Sequence, residues 1–113
     1  MKRLGLLVLL VLSLGARPKD PSAAKFMQVM DASMKIMDRE MAAAEMNGGI
    51  DHDFAAMMMP HHQGAIAMAK AELGYGQDPV MRRLAQEILV DQQSEIDVMQ
   101  LWLTKKDGHR SQR

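Results

Sequence analysis

Three consecutive methionines followed by a proline and two histidines form the part of this sequence best suited to chemistry. Residues 57–62 read Met-Met-Met-Pro-His-His. Thioether sulfur is a soft donor that selects Cu(I), and imidazole binds copper in either oxidation state. The chain has 13 methionines and no cysteine. Because thioethers need no deprotonation and form no disulfides, this composition indicates a soft-metal site in an oxidising compartment.

A second set of methionines recurs in the first third of the chain at spacings of three and four residues. Such spacing places side chains on one stripe of an α-helix. The stripe consists of Met27, Met30, Met34, Met37 and Met41. Two interpretations stay open. The stripe is a core-facing seam in which methionine replaces leucine of similar volume, or it is also a row of thioether ligands.

The two histidines are adjacent, and adjacent helical side chains point about 100° apart, so one ion is not easily shared between them. We expect each imidazole to face a different neighbouring helix and to join a different site. Phe54, Met57 and Met68 fall on the flank of His61, Met59 and Ile66 fall on the flank of His62, and Met58 and Ala65 lie between. The alternative is an ordinary hydrogen-bonded core histidine.

Two carboxylates accompany an apolar stripe in the last third of the chain. The stripe is Met81, Leu84, Ile88, Gln92, Glu95, Met99 and Trp102. Glu95 lies in its middle and Asp91 at its edge, where a carboxylate is costly unless it is paired or metal-bound. Either carboxylate accepts a bond from a metal-ligating His61 or His62 and orients that ring, or it makes an ordinary hydrogen bond.

Turn and capping residues divide the chain into helical segments. The pattern predicts helices over about 22–46, 51–73 and 79–105, with Ser22, Asp51 and Asp78 as N-caps and Gly108 ending the last. Short connections make neighbouring helices antiparallel. We therefore predict an all-α, up-down bundle of three long helices over residues 22–106, or four helices if Pro60 breaks the second. Residues 16–21 are a short leader and 107–113 a disordered tail.

The N-terminus has the pattern of an export signal. A basic pair at 2–3 precedes an apolar run at 4–14, and Ser13 and Gly15 give a small-x-small cleavage pattern. We predict that residues 1–15 are removed in a periplasmic or otherwise extracytoplasmic protein. As a helix the run reaches about 16 Å, too short for a hydrocarbon core of about 30 Å, so no membrane span is expected after cleavage. An uncleaved anchor is the alternative.

The charge balance excludes one class of partner. The 14 Lys and Arg residues include Lys2 and Arg3, so 12 basic residues face 14 acidic ones after residue 15. A net charge of −2 does not indicate the basic surface that nucleic-acid binding requires. The expected partners are the metal ion itself and a copper-efflux or copper-acceptor protein.

The sequence favours a binding protein over an enzyme. It contains no nucleophile elbow, phosphate loop, His-Glu-x-x-His signature or dinucleotide fingerprint. A ferritin-like di-metal oxidase is the enzymatic alternative, but that chemistry needs paired Glu-x-x-His motifs, which this sequence lacks. A third reading is an interaction module whose methionine surfaces bind a partner helix, since methionine adapts to varied shapes.

A longer pattern extends around the histidine pair. It comprises Asp53-Phe54, Met58, Pro60-His61-His62-Gln63-Gly64-Ala65-Ile66, Met68-Ala69, Glu72-Leu73, Tyr75-Gly76, Asp78-Pro79, Arg83-Leu84-Ala85, Gln92 or Gln93, Glu95-Ile96, Met99 and Trp102-Leu103. Over about residues 26–103 the chain thereby resembles domain-of-unknown-function family 305. Members are described as CopM-type copper-binding proteins or metallochaperones with a ferritin-like helical bundle.

The resemblance implies that His61, His62 and the methionines around them are copper ligands. The family's first helix often reads Met-His-x-x-Met, where this chain has Met37-Asp38-x-x-Met41. That departure leaves the first helix with thioether donors only. The predicted function is binding, sequestration or delivery of Cu(I), with Cu(II) and Ag(I) as further ions, in copper homeostasis or resistance. The predicted ligands are His61, His62, Met57, Met58, Met68, Met34, Met37, Met41 and Met99, supported by Glu95 and Asp91.

Overall fold

The computed structural model describes residues 20–110, and these form three α-helices. The helices are α1 (Ser22–Ala42), α2 (Ile50–Tyr75) and α3 (Pro79–Arg110). No strand occurs between residues 20 and 110, and the prediction of an all-α helical bundle is confirmed. The predicted signal peptide at 1–15, most of the leader and the last three residues of the predicted tail lie outside the described residues.

The second helix runs through Pro60 without a break, so the helix count is three. Proline inside a helix removes one backbone hydrogen bond. Here Pro60 is buried and lines the α1–α2 interface together with Gly64 and Ala67. Packing against α1 therefore holds the proline within a continuous helix, and the alternative of four helices is wrong.

The central element is α2, which packs against α1 on one side and α3 on the other. Among the described residues, no Cα atom of α1 lies within 8 Å of a Cα atom of α3. The bundle is therefore open, and part of the surface of α2 between its two neighbours is left uncovered. None of the described helices combines the length and the apolar character that crossing a membrane requires.

Two contacts set the register between α1 and α2. The rings of Phe26 and Tyr75 meet edge to face with centroids 6.4 Å apart. Farther along, the Met37 side chain lies against the Cα atom of Gly64. The same number of residues separates Phe26 from Met37 as separates Gly64 from Tyr75, so the antiparallel register is constant over this length.

The turn between α2 and α3 is held by a cap and an arginine. Asp78 Oδ1 accepts hydrogen bonds from the backbone amides of Val80 and Met81, both at 3.0 Å, which confirms Asp78 as the N-cap of α3. Arg82 Nη1 donates to the carbonyl oxygens of Leu73 at 2.6 Å and Gly76 at 3.0 Å. These carbonyls at the end of α2 are thereby satisfied by a cation, which also suits the helix dipole.

The starts of α1 and α2 use different capping residues from the predicted Ser22 and Asp51. Asp20 Oδ1 accepts from the amide and the hydroxyl of Ser22, at 2.9 and 2.7 Å. Asp53, not Asp51, accepts from the amides of the α1–α2 loop, at 2.9 Å from Asn47 and 3.1 Å from Gly48. Gly48 adopts a φ of 83°, a left-handed conformation that glycine tolerates best.

Two helix ends also differ from the prediction. The first helix ends at Ala42 instead of about Met46, because the chain must turn early for the loop amides to reach the Asp53 carboxylate. The third helix continues through Gly108 to Arg110. Glycine costs only about 1 kcal/mol inside a helix relative to alanine, so a single glycine does not have to end α3.

The interior of the bundle is built from small side chains. The buried hydrophobic residues among those described are Ala55, Ala69, Ala71, Ala85 and Ile96. In α1 the buried position is Ser33, whose hydroxyl donates to the Val29 carbonyl oxygen at 2.7 Å. Met27 is 59% exposed and Met34 is 41% exposed. The expectation that the whole α1 methionine stripe faces the core is therefore wrong, and the stripe lies along one edge of the interface.

The buried face of α3 is also rotated from the predicted stripe. Met81 and Leu84, expected in the core, are largely exposed, whereas Ala85 and Ile96 are buried. The neighbouring face of α2 carries Ala65 and Ala69 at this level. Small residues on both helices allow close approach, so the contact is centred on alanines and the larger side chains are displaced to the edges.

Candidate metal centre

The register between α1 and α2 brings thioether groups of α1 level with the residues around His61. A Cβ atom placed on Gly64 would lie 2.6 Å from Met37 Sδ, so this sulfur rests on the helix backbone one turn after His61. Both helices rise about 1.5 Å per residue. In the antiparallel register, Met41 therefore comes level with Pro60, one residue before His61. Met57 precedes His61 by one turn of α2. We call Met37, Met41, Met57 and His61 the α1–α2 cluster.

The donors of the α1–α2 cluster are accessible. His61 is exposed, and its three methionines are half-buried. Within residues 20–110 no hydrogen bond reaches the His61 ring, whose centroid lies 6.1 Å from that of His62. A neutral imidazole has one nitrogen with a free lone pair. The His61 ring is therefore open for ligation next to soft sulfur atoms.

A second cluster lies on the other side of α2. The contact between His62 and Glu95 sets the register of α2 against α3. Met58 precedes His62 by one turn, and Met99 follows Glu95 by one turn. Because the helices are antiparallel, the two methionines come level with each other. Both are half-buried. We call Met58, His62, Glu95 and Met99 the α2–α3 cluster.

Both nitrogens of His62 are engaged. Nδ1 donates to the backbone carbonyl oxygen of Met58 at 2.8 Å, and Nε2 shares a hydrogen bond with Glu95 Oε2. His62 is 7% exposed, whereas the Glu95 side chain is 60% exposed. The Nδ1 bond fixes the ring orientation and leaves Nε2 as the atom that would face a metal. Ligation by His62 therefore requires the Glu95 carboxylate to move away, which its exposure allows.

The remaining predicted site residues are more scattered. By the α1–α2 register, Met34 comes level with Ala67, one residue before Met68. Met68 also lines a cavity between α2 and α3. Asp91 is exposed and makes no hydrogen bond to either histidine in the described structure. The structure does not bring Asp91 to the site.

Hard ligands do not converge on a common point. Within residues 20–110 no group of three or more histidine, aspartate or glutamate side chains is placed to hold an ion. A site for Mg²⁺ or Ca²⁺ is built from several oxygen ligands. The donors that share a level in the helix register are thioethers with single imidazoles, which suit a soft monovalent ion better than a hard divalent one.

His52 has a local structural role. Its Nδ1 donates to Asp53 Oδ1 at 3.0 Å. Hydrogen bonds from the Asn47 backbone amide, and next from His52, lower the pKa of the Asp53 carboxyl. Asp53 is thus held as a carboxylate that closes the α1–α2 loop, which is ordinary capping chemistry.

The sequence matches one family of proteins over most of its length. The family described as "Domain of unknown function (DUF305)" matches residues 11–103. The chain belongs to this family. The match includes both clusters and all of α1 and α2. No curated protein matches the sequence.

The structure shows why the segment from Pro60 to Gly64 of this DUF305 chain has mixed residue types. Pro60 and Gly64 lie one turn apart and pack on α1. His62 points to α3 and meets Glu95. His61 is exposed on α2, so the expectation that each imidazole faces a different neighbouring helix is wrong for His61. One short block therefore supplies the small residues of one interface, the polar contact of the other, and an exposed imidazole.

Two structural residues were missed from the sequence. Arg82 ties the end of α2 to α3, and Ser33 is the buried centre of α1. Nothing in the sequence marks Arg82 among the neighbouring cations. Ser33 was detectable, because Pro60, Gly64 and Ala71 place small residues at helical spacing on the facing side of α2, and small residues on one helix favour a small partner on the other.

Proposed function

We propose that this chain binds Cu(I) through methionine thioethers and the His61 imidazole, outside the cytoplasm, and sequesters the ion or delivers it to an acceptor protein. The observation that supports the proposal is the α1–α2 cluster. An exposed imidazole, without a hydrogen bond in residues 20–110, lies one residue from the level of Met41 in the neighbouring helix and one turn from Met57. This is a binding proposal and involves no catalytic step.

The burial of the methionines supports the choice of ion. A methionine used only as a substitute for leucine belongs in the core, yet the core positions are alanines and Met27 and Met34 are largely exposed. Thioether sulfur has little affinity for hard cations, whereas Cu(I) and Ag(I) prefer it. Methionines at the edge of an interface offer their sulfur to an ion without rebuilding the core.

The accessibility of the ligands supports delivery. An ion held by exposed or half-buried groups can pass to another protein by stepwise ligand exchange, which a fully enclosed site would hinder. We further propose that the α2–α3 cluster takes a second Cu(I) after the Glu95 carboxylate leaves His62 Nε2. That site is loaded after the α1–α2 cluster, because its imidazole must first give up a hydrogen bond.

A competition titration tests the proposal. Cu(I) is titrated into the protein against a chromophoric Cu(I) chelator under anaerobic conditions. The variant His61→Ala/Met41→Leu/Met57→Leu should bind its most tightly held Cu(I) ion at least ~100-fold more weakly. This factor corresponds to a loss of ~3 kcal/mol in binding free energy. Leucine keeps the volume of methionine, so folding should persist.

A matched triple variant provides the control. His52→Ala/Met27→Leu/Met46→Leu removes one imidazole and two largely exposed thioethers that lie outside both clusters. Its affinity should stay within about threefold of the wild type, less than 1 kcal/mol. Equal losses in the two triple variants, or a wild-type Kd weaker than about 1 µM, would contradict the proposed function.

A further inference from the structure

The uncovered surface of α2 carries an exposed aromatic side chain in line with His61. Phe54, His61 and Met68 are spaced by seven residues. Each interval of seven residues rotates the side chain by only about 20° around the helix, so the three lie on one stripe. Phe54 is 62% exposed, and His61 is exposed. Neither α1 nor α3 covers this stripe at Phe54. A phenyl ring is therefore held in solvent on the central helix of the bundle.

An apolar cavity opens on the same side of α2. Its volume is about 300 Å³, and it lies between α2 and α3, with Ala65, Met68 and Ala69 facing Leu84 and Ile88. Ala65 and Met68 follow His61 by one and two turns, so the cavity lies on the stripe side of the helix. A cavity of about 150 Å³ already accepts benzene. This one has room for a phenylalanine side chain.

The protruding ring and the cavity are equally far from His61. Phe54 precedes His61 by seven residues, and Met68 at the cavity follows it by seven. A second copy of α2, laid antiparallel with a twofold axis at His61, would bring each Phe54 level with the Met68 of the other copy. Twofold interfaces are self-complementary in this way, with residue i meeting j and j meeting i.

We infer that the chain forms a twofold dimer through α2, in which each Phe54 fills the cavity of the other copy and the two His61 rings meet at the axis. The dimer thereby brings a second imidazole to each α1–α2 cluster. The inference concerns the metal-free protein and does not rest on copper binding.

The charge of α2 is suited to such an interface. From Phe54 to Met68 the chain has no aspartate, glutamate, lysine or arginine, and interface cores are depleted of charged residues.

The thin core of a single copy also favours a partner. Four of the five buried hydrophobic residues described are alanines, and no described side chain of any size is fully buried. Small domains depend on burying a large share of their apolar surface. Covering the α2 stripe adds Phe54 and the edges of Met57, Ala65 and Met68 to the buried surface.

Cross-linking tests the position of the axis. The chain has no cysteine, so His61→Cys introduces a single thiol. In the proposed dimer the two Cα atoms approach the 4.4–6.8 Å of a disulfide. Gln63→Cys is the matched control, because Gln63 is equally exposed on α2 but points about 200° away. With diamide as a metal-free oxidant, His61→Cys should cross-link at least about tenfold faster than Gln63→Cys. Equal rates would overturn the inference.

Sedimentation tests the ring and the cavity. The chain, expressed from its full sequence and freed of metal with a chelator, should sediment as a dimer. Phe54→Asp and Ala65→Phe should each weaken the dimer at least about tenfold, the first by removing the ring and the second by filling the cavity. Val90→Asp replaces a valine that is 64% exposed on α3, and this variant should not weaken the dimer. A wild-type monomer at about 100 µM, or a dimer insensitive to both substitutions, would overturn the inference, and circular dichroism checks that each variant is folded.

Discussion

Met37 of α1 packs directly onto the backbone of Gly64 in α2, with its sulfur and both methylenes within 3.0 Å of the point where a Gly64 side chain would begin. No larger residue fits at position 64 unless the whole Met37 side chain turns away. This contact places a thioether one helical turn from His61 and fixes the α1–α2 register on which the candidate site depends.

Gly64→Ala should destabilise the protein. Overpacking costs about 1–3 kcal/mol, and the helix gains about 0.5–1 kcal/mol from replacing glycine. We expect a net loss of about 1–2 kcal/mol in the free energy of unfolding, measured by urea denaturation. Met37→Ala in the same chain should relieve the clash and recover part of that loss.

Gly74→Ala is the control for this prediction. Gly74 lies inside α2, and a Cβ atom there meets nothing within 4 Å. The substitution should stabilise the protein by about 0.5–1 kcal/mol, since only the helix gain remains. If Gly64→Ala and Gly74→Ala changed stability in the same direction, Met37 would not pack closely on Gly64.

Glu95→Ala should weaken the α2–α3 interface. Hydrogen bonds to charged groups contribute about 1.5–3 kcal/mol, but the Glu95 side chain is 60% exposed, so solvent screening reduces this to about 1 kcal/mol. Glu87→Ala is the matched control, because Glu87 is equally exposed and pairs only with Arg83 on the same helix, at 3.5 Å. The Glu87→Ala variant should lose less than about 0.5 kcal/mol in the free energy of unfolding. Equal losses of stability in the two variants would show that the contact between Glu95 and His62 does not stabilise the protein.

The two histidines should respond to Ag(I) in a fixed order. His61 has an unbonded ring, whereas both nitrogens of His62 are hydrogen-bonded. In an Ag(I) titration followed by NMR of the imidazole groups, the His61 resonances should shift at the first equivalent and those of His62 only later. In Glu95→Ala the order should become less distinct, because Nε2 no longer shares a hydrogen bond with a carboxylate. A first response from His62 in the wild type would contradict the assignment of the two clusters.

The Asp53 carboxylate should make stability depend on pH at the acid end. Its pKa is lowered in the folded protein, chiefly by the Asn47 amide and next by His52. The stabilisation is therefore complete above the ordinary aspartate pKa of about 4 and is lost as the pH falls through the lowered value. The stability difference between wild type and Asp53→Ala should be constant from about pH 7 to 5 and should shrink towards about pH 3.

His52→Ala separates the two causes of the lowered Asp53 pKa. The Asn47 amide contributes most, so the acid-dependent contribution should largely persist when the His52 imidazole is absent. Urea denaturation at each pH measures it. A complete loss of the pH dependence in His52→Ala would assign the effect to the imidazole instead.

The three helices and the start of α3 followed from local chemistry. Asp78 marked that start because capping preferences act over a few residues. The predictions failed where distant contacts decide. Pro60 stays helical because α1 covers it, and the α1 stripe is rotated outward because Ser33 takes the buried position. Neither partner is visible in the local pattern.

Sequence alone determined which donor atoms this protein offers: many thioethers, a histidine pair and no thiol, since composition sets ligand chemistry directly. Only the tertiary structure decided which donors are available to an ion. Close packing of small residues displaces methionines to the interface edges, the Met58 carbonyl and Glu95 take both nitrogens of His62, and the open arrangement of α1 and α3 leaves His61 uncovered. Those outcomes depend on the register between helices far apart in the chain, which no single helix encodes.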